Sequence, residues 1–334
     1  MTFHPDSLPD LAGRVYIVTG GNSGMSVSSP FISSPPQNLL DRRGYYTVAR
    51  LAQHGAHVYL CARSPTKGAA AITSIKSLYP QANISFLEMD HLSLSSVASA
   101  ATLFLSKERV LHGLINNAGI MATPFEMSKD GHEAQWQTNY LAHWVFTSYL
   151  LPLMLSTSKG LPSGNVRIVN LSSSGHFNAP KGGINFVDTS LPSGSGMARY
   201  GQSKLANILH TKTLNKLYGP GSPSLKAKNG EIWTAAVHPG LVESQLGVRA
   251  EIPSVMKKIF DIYGAIGGRI DSDTGSWTSV FCAASPEMRK EQSGTYFQRV
   301  AEAGWQSGMA KNMVLATKLE DWTREEMKKE GWVK

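Results

Sequence analysis

Tyr200 and Lys204 stand four residues apart in ARYGQSKLANILHTKTLNKLY (198–218), a segment of helical period. Side chains at i and i+4 of a helix share a face. An ammonium beside a phenol stabilises the phenolate. It thereby brings a hydroxyl with an ordinary pKa of about 10 toward working pH, where it can give or take a proton. By itself the pair is equally what an amphipathic helix carries by chance. A second signal lies near the start, where VTGGNSG (18–24) closes the apolar run RVYIVTG (14–20) with a glycine turn. Glycines there permit unusual backbone angles and close approach of a pyrophosphate, and the next helix's N-terminus favours an anion. Alone, this too could be an ordinary tight turn.

The elements that must position these residues alternate along the chain. Strands are expected at 14–20, 57–63, 84–90, 112–119, 166–173 and 232–240. Helices are expected at 45–56, 66–79, 93–108, 132–155 and 198–218. That alternation calls for an α/β fold: a doubly wound parallel sheet, helices on both faces, right-handed crossovers. Ligands of such sheets sit outside the carboxyl ends of the strands. After residue 240 the alternation weakens, and a helix near 273–284 and a short strand at 294–297 close the pattern. The expectation is one domain over residues 1–334.

Composition excludes several classes. The 334 residues are 42% hydrophobic and 17% charged, enough for a sizeable core. A net charge of +8 is spread without a dense basic run, so no nucleic-acid partner is expected. No stretch of about 18 apolar residues occurs, and MTFHPDSLPDLAGR has neither the apolar core nor the basic leader of a signal peptide. Cys61 and Cys282 give no disulfide framework or metal spacing, which predicts a reducing, cytoplasmic compartment. The ten histidines form no metal pattern.

Five motifs then fall in order on the expected elements: TGGNSG (19–24), NNAG (116–119), NLSS (170–173), YGQSK (200–204) and HPG (238–240). On these the chain resembles the short-chain dehydrogenase/reductase family, and within it the retinol-dehydrogenase-like branch, over roughly residues 12–300. The resemblance implies a Rossmann-type fold and an oxidoreductase that interconverts a carbonyl and an alcohol by hydride transfer with a nicotinamide cofactor. It implies Tyr200 as the acid/base and Lys204 as the group that lowers its pKa and bonds the nicotinamide ribose. Ser173 would bond the substrate oxygen, with Ser172 and Ser174 as alternatives one place away. Asn139 would hold a relay water. Cofactor contacts would come from Thr19, Gly20, Asn22, Ser23, Gly24 and Gly44 in the turn, and from the backbone of Asn117, Ala118 and Gly119. Asp90 would lie beside the adenine, and Pro239, Gly240, Val242 and Ser244 at the nicotinamide. Asn116 is expected to bond across neighbouring strands. Relatives often pair through the two long helices, which implies a homodimer.

An NAD enzyme usually ends its second strand with an acid that bonds the ribose 2′-OH. Here Arg63 takes that place and Lys67 follows, so NADP(H) is expected. His176 is expected on a loop surface, with contact to substrate as the alternative. Specificity is expected in 176–197 and 241–272, where IPSVMKKIFDIYGAIGG is apolar enough to line a pocket for a lipophilic carbonyl or alcohol. The same stretch could instead lie on a membrane surface.

The glycine turn departs from the family pattern. Nineteen residues, Met25 to Arg43, stand where T-G-x-x-x-G-x-G has one, an excess of 18. Residues 26–43 therefore read as a surface loop, a disordered insertion or a short intron translated in frame. The Ser/Pro-rich SVSSPFISSPPQN suits disorder. The codons open to Met25, Leu40–Asp41 and Arg43 can supply intron signals. A fungal intron would suggest a secondary-metabolite substrate. The insertion is expected to separate the turn from the helix that should meet the pyrophosphate. It thereby opens an alternative function, a catalytically silent dinucleotide-binding sensor or interaction protein.

Overall fold

The computed structural model describes residues 3–22, 43–240, 270–299 and 301–334. Ser23, Gly24, Val242, Ser244, residues 26–42 and most of 241–272 lie outside the described residues.

Alternation within β1 (Val15–Thr19) sets the layers. Val15 and Ile17 enter one core and Tyr16 and Val18 the other, because successive strand side chains point to opposite faces. The other strands are β2 (His57–Ala62), β3 (Asn83–Glu88), β4 (Gly113–Asn116), β5 (Arg167–Leu171), β6 (Trp233–His238) and β7 (Thr295–Gln298). They pair in parallel in the order β3-β2-β1-β4-β5-β6-β7. The order reverses between β1 and β4, which opens a crevice at the carboxyl ends of those two strands.

Nine helices can be followed among the described residues: α1 (Arg43–Gln53), α2 (Pro65–Leu78), α3 (Leu94–Lys107), α4 (Ala134–Trp136), α5 (Ala142–Ser158), α6 (Gly196–Tyr218), α7 (Pro223–Lys226), α8 (Ser272–Ala284) and α9 (Met313–Lys329). Helices α1, α2 and α8 cover one face of the sheet, and α3, α5 and α6 the other. Serine caps start several of them: Ser64, Ser93 and Ser195 each accept a first-turn N–H. No described helix is long and apolar enough to cross a membrane.

Two elements depart from expectation. The helix expected at 132–155 is broken into α4, a π turn over Gln137–Leu141, and α5. Such bulges re-aim a side chain and often mark functional positions; this one contains Asn139. The closing helix α9 was not anticipated. Its residues are strongly charged, and the narrow apolar stripe of Leu315, Ala316, Leu319 and Met327 gains meaning only against α6 and α5.

Burial holds α9 in place. Glu320 sits in the seam and accepts from Trp144 Nε1 at 3.0 Å, His210 Nδ1 at 3.3 Å and Arg324 Nη2 at 2.9 Å. Tyr140 and Thr323 share a 2.7 Å bond beside it. The faces of the π turn, α5 and α6 bearing Tyr140, Trp144 and His210 are thus covered from within the chain, although the two long helices were expected to pair subunits. Burial works against the Glu320 carboxylate, but the bonds from His210 and Trp144 and the charge of Arg324 outweigh it and lower its pKa below 4.5. A depressed carboxylate stabilises fully above the unfolded value and loses that contribution as pH falls through the folded one. Glu320→Gln is therefore expected to lower stability by about 2 kcal/mol near pH 7, with the deficit shrinking below pH 4.5. Denaturant melts of both proteins across pH 3–8 check this, and equal midpoints at neutral pH would remove Glu320 as the anchor.

Candidate active site

The chemistry-bearing residues gather at the carboxyl edge of the sheet. Tyr200 and Lys204 lie in the first turns of α6 and are 5% exposed, so their charges act in a largely water-excluded setting. Lys204 Nζ lies 5.7 Å from the centre of the Tyr200 ring and donates to Leu171 O, the end of β5, at 2.9 Å. Just beyond β5, Ser173 Oγ accepts from Gly175 N at 3.0 Å, which leaves its proton free to donate. A Cβ at Gly175 would fall 2.6 Å from Tyr200 Cε1 and 3.3 Å from Ser173 Oγ. Glycine is needed there, and the serine hydroxyl and tyrosine ring meet around it. The neighbouring serines are set apart: Ser172 Oγ is buried on Lys204 O at 2.7 Å, and Ser174 is exposed.

Asn139 faces the same space. Its Oδ1 accepts from Ile120 N at 2.8 Å, and its Nδ2 donates to Ile120 O and Ser203 Oγ, each at 2.9 Å. A Cβ on Gly119 would come within 3.0 Å of Asn139 Oδ1 and 3.2 Å of Lys204 Nζ. Asn116 Nδ2 donates to Asn170 Oδ1 at 2.8 Å, its register partner across β4 and β5, so its cross-strand role holds.

The glycine turn closes on the segment after β4. Thr19 Oγ1 accepts from the amides of Asn117 and Ala118, each at 2.9 Å, and Asn117 Nδ2 returns to Thr19 O at 2.8 Å. Gly20 has φ +67°, and a Cβ there would stand 3.1 Å from Ala118 Cα. A Cβ on Gly44 would fall 2.4 Å from Gly20 O. Gly44 therefore lies directly on the turn, and the expected displacement of the helix is not found. Contact of Gly44 with Gly20 and burial of Tyr45, Val48, Leu51 and Ala52 seat α1, whatever joins the two. Asn22 is half-buried at the turn's end.

Around this core, Arg63 follows β2 and Lys67 lies in the first turn of α2, both exposed and neither ion-paired with a described residue. Asp90 is half-buried after β3, with Oδ1 accepting from Leu92 N at 3.0 Å. Pro239 is buried after β6, and Gly240 adopts φ +88° against Ile270. Burial, with the charge of Arg43 adding to it, pushes His238 at the end of β6 down to about 4.

His176 corrects a sequence expectation. It is 1% exposed rather than on a loop surface. Its Nε2 accepts from Ser307 N at 3.2 Å, so Nδ1 carries the proton and donates to Ser173 O at 2.7 Å. Because neutral imidazole makes both bonds, burial is tolerated. The same contact draws in 305–307, and Trp305, 76% exposed, stacks 4.8 Å from Phe177. Trp305 carried no motif. Its place against Phe177, four residues beyond Ser173, follows only from this long-range contact. Arg199, also missed, pairs with buried Glu133 at 3.3 Å and donates to Thr123 O and Gly194 O, tying two loops around Tyr200. Among the described residues no group of His, Cys, Asp and Glu could hold a metal.

The comparisons agree with this arrangement. A family profile described as short chain dehydrogenase matches residues 44–252. The chain is 48% identical to short-chain dehydrogenase/reductase drtF of Aspergillus calidoustus, over 97% of each protein. It is 33% identical to retinol dehydrogenase 11 of Mus musculus, over 93% of this chain and 85% of that protein. A solved structure of a protein from Mycobacterium Paratuberculosis superposes with a TM-score of 0.70 at 26% identity, covering 98% of both chains. With its parallel seven-stranded sheet and this extent of similarity, the chain belongs to the short-chain dehydrogenase/reductase family of oxidoreductases.

Proposed function

We propose that the protein is an NADP(H)-dependent oxidoreductase that interconverts a carbonyl and an alcohol on a lipophilic small molecule. The observation that carries this reading is the meeting of Ser173, Tyr200 and Lys204 around Gly175 and Gly119. The cleft fits a dinucleotide. The Gly20–Gly44–Ala118 contact leaves no room for side chains, and the N-terminus of α1 opens beside it. Thr19, Gly20, Asn22 and Gly44, with Asn117, Ala118 and Gly119, would hold the dinucleotide, together with Ser23 and Gly24 of the same turn. Asp90 would face the adenine, and Pro239, Gly240, Val242 and Ser244 the nicotinamide. When bound, the nicotinamide supplies or takes the hydride.

The protein's own residues manage the proton. Ser173 donates a hydrogen bond to the substrate oxygen and orients it. Tyr200 gives its phenolic proton to the oxygen that gains charge on reduction, or takes that proton on oxidation. Lys204, held by Leu171 O, stabilises negative charge on the Tyr200 oxygen. Asn139 holds the 120 backbone and, in this reading, a relay water. Arg63 and Lys67 stand exposed where a ribose 2′-phosphate would lie, which supports NADP(H). The exposed, packed rings of Phe177 and Trp305, on the segment that follows Ser173 and on the 305–307 stretch held by His176, favour an apolar substrate. Likeness to retinol dehydrogenase 11 points the same way, and we put secondary-metabolite ketones first in the screen because the chain also resembles a fungal short-chain dehydrogenase/reductase.

We read residues 26–43 as an addition to an otherwise regular turn, since the family match begins at residue 44 and Gly44 occupies the last glycine's place. Silencing by that addition is the competing reading. Deleting 26–43 leaves TGGNSGMG and is expected to tighten NADPH binding by fluorescence titration while the melting temperature holds. Equal affinity of both chains would make the segment a neutral loop.

Tyr200→Phe is expected to cut turnover by about 10²–10⁴-fold while NADPH binding stays near wild type. Full activity in that variant would overturn the proton-transfer assignment. Arg63→Asp is expected to move the NADPH/NADH preference toward NADH by at least about tenfold, since a charge-assisted bond to phosphate is lost and an anion opposes it. An unchanged ratio of kcat/KM values would remove Arg63 as the 2′-phosphate residue.

A further inference from the structure

His143 makes four contacts that no step of the proposed reaction uses. It lies on α5, one turn after Asn139, and is 2% exposed. Its Nε2 is 2.9 Å from Thr19 Oγ1 and 3.2 Å from His91 Nε2, its Nδ1 is 3.1 Å from Asn139 O, and its ring meets that of His91 at 4.8 Å.

The proton positions follow from donor counting. Thr19 Oγ1 already accepts two amides, Asn117 N and Ala118 N, so both lone pairs are used and its single proton must go to His143 Nε2. Nδ1 of His143 faces a carbonyl oxygen, so it carries the ring proton and donates to Asn139 O. His91 then turns its own N–H toward the same Nε2 lone pair and shares it with the Thr19 proton as the longer branch, because two bare lone pairs 3.2 Å apart would repel. The arrangement closes only with neutral His143. Burial, with His91 and Lys204 nearby, also pushes its pKa well below the ordinary value.

Residues 117–120 are gripped at both ends. Thr19 holds the amides of Asn117 and Ala118, and the Asn139 side chain holds the N–H and C=O of Ile120. Between the grips sits Gly119, against Lys204 Nζ. We propose that His143 is the positioning residue that joins these two grips, fixing the Thr19 hydroxyl at one end and the Asn139 turn at the other. The 117–120 backbone and the Asn139 turn thereby move as one piece. The value of this clamp to catalysis rests on the NADP(H) reading above; the clamp itself does not.

Residue-resolved hydrogen exchange on the full, cofactor-free chain tests the joint. Thr19→Val removes only the first grip. It frees the amides of Asn117 and Ala118 directly, and through the lost Thr19–His143 bond it is expected to speed exchange at Ile120 as well, by about tenfold for each buried hydrogen bond lost. His143→Leu is expected to give the same three-site pattern and to raise the NADPH Kd by about tenfold. His143→Gln, whose Oε1 can still accept from Thr19, is expected to recover most of both. The Thr19→Val/His143→Leu double variant should lose less than the sum of the two single losses, since the two share the Thr19–His143 contact.

Exchange at Ile120 unchanged in Thr19→Val, or losses that simply add, would overturn the proposal. If His143→Leu fails to fold, Thr19→Val and His143→Gln still decide it. A wild-type chain that bound no NADPH would sink the functional reading, while the exchange pattern would still judge the clamp.

Discussion

Close approach of backbone to backbone at the β1–β4 junction is the constraint on which the rest of the structure depends. Gly20 lies under Ala118, and Gly44 lies on Gly20. Nothing larger than hydrogen fits at either glycine without displacing main chain, which cannot yield as a side-chain tip can. This contact brings the N-terminus of α1 to the end of β1 and opens a cleft whose floor is almost all peptide. A floor of peptide groups offers N–H donors and little bulk, which suits a long anionic ligand. The contact also explains how α1 keeps its place despite the segment before it.

Polar groups buried around the junction need partners, and the partners they find carry the geometry outward. Thr19 serves Asn117, Ala118 and His143; Asn139 serves Ile120 and Ser203; Lys204 and Asn207 both end on Leu171 O. Each of these groups uses its donors or acceptors on residues far away in sequence. The π turn over Gln137–Leu141 belongs to the same system, because it aims Asn139 at Ile120 instead of along the helix. Glu320 plays the corresponding part on the outer side of α5 and α6, where one carboxylate gathers an indole, an imidazole and a guanidinium and seats α9.

Much was legible from residue order. Periods of two and of 3.6 residues, broken by glycine and proline, located the strands and helices from β1 to β7 to within a few residues, and their alternation required a parallel sheet. The motifs marked Tyr200, Lys204, Ser173 and the 117–119 backbone, the family resemblance added Asn139, and the folded chain brings these together. His176 and α9 were misread or missed for one reason. Their environments are made by Ser307, Tyr296, Trp144 and His210, which lie 110 to 176 residues away from the groups they meet.

The sequence by itself determined the strand–helix alternation, the glycine turn and the pairing of phenol with ammonium on one helix face, because each depends on residues within about one or two turns of one another. Only the tertiary structure decided which serine faces Tyr200, how Gly44 meets Gly20, where the proton of His143 lies and what covers α5 and α6. Those outcomes depend on which buried donors and acceptors meet across the fold, and that is settled when separate elements pack and each polar group must find a partner away from water.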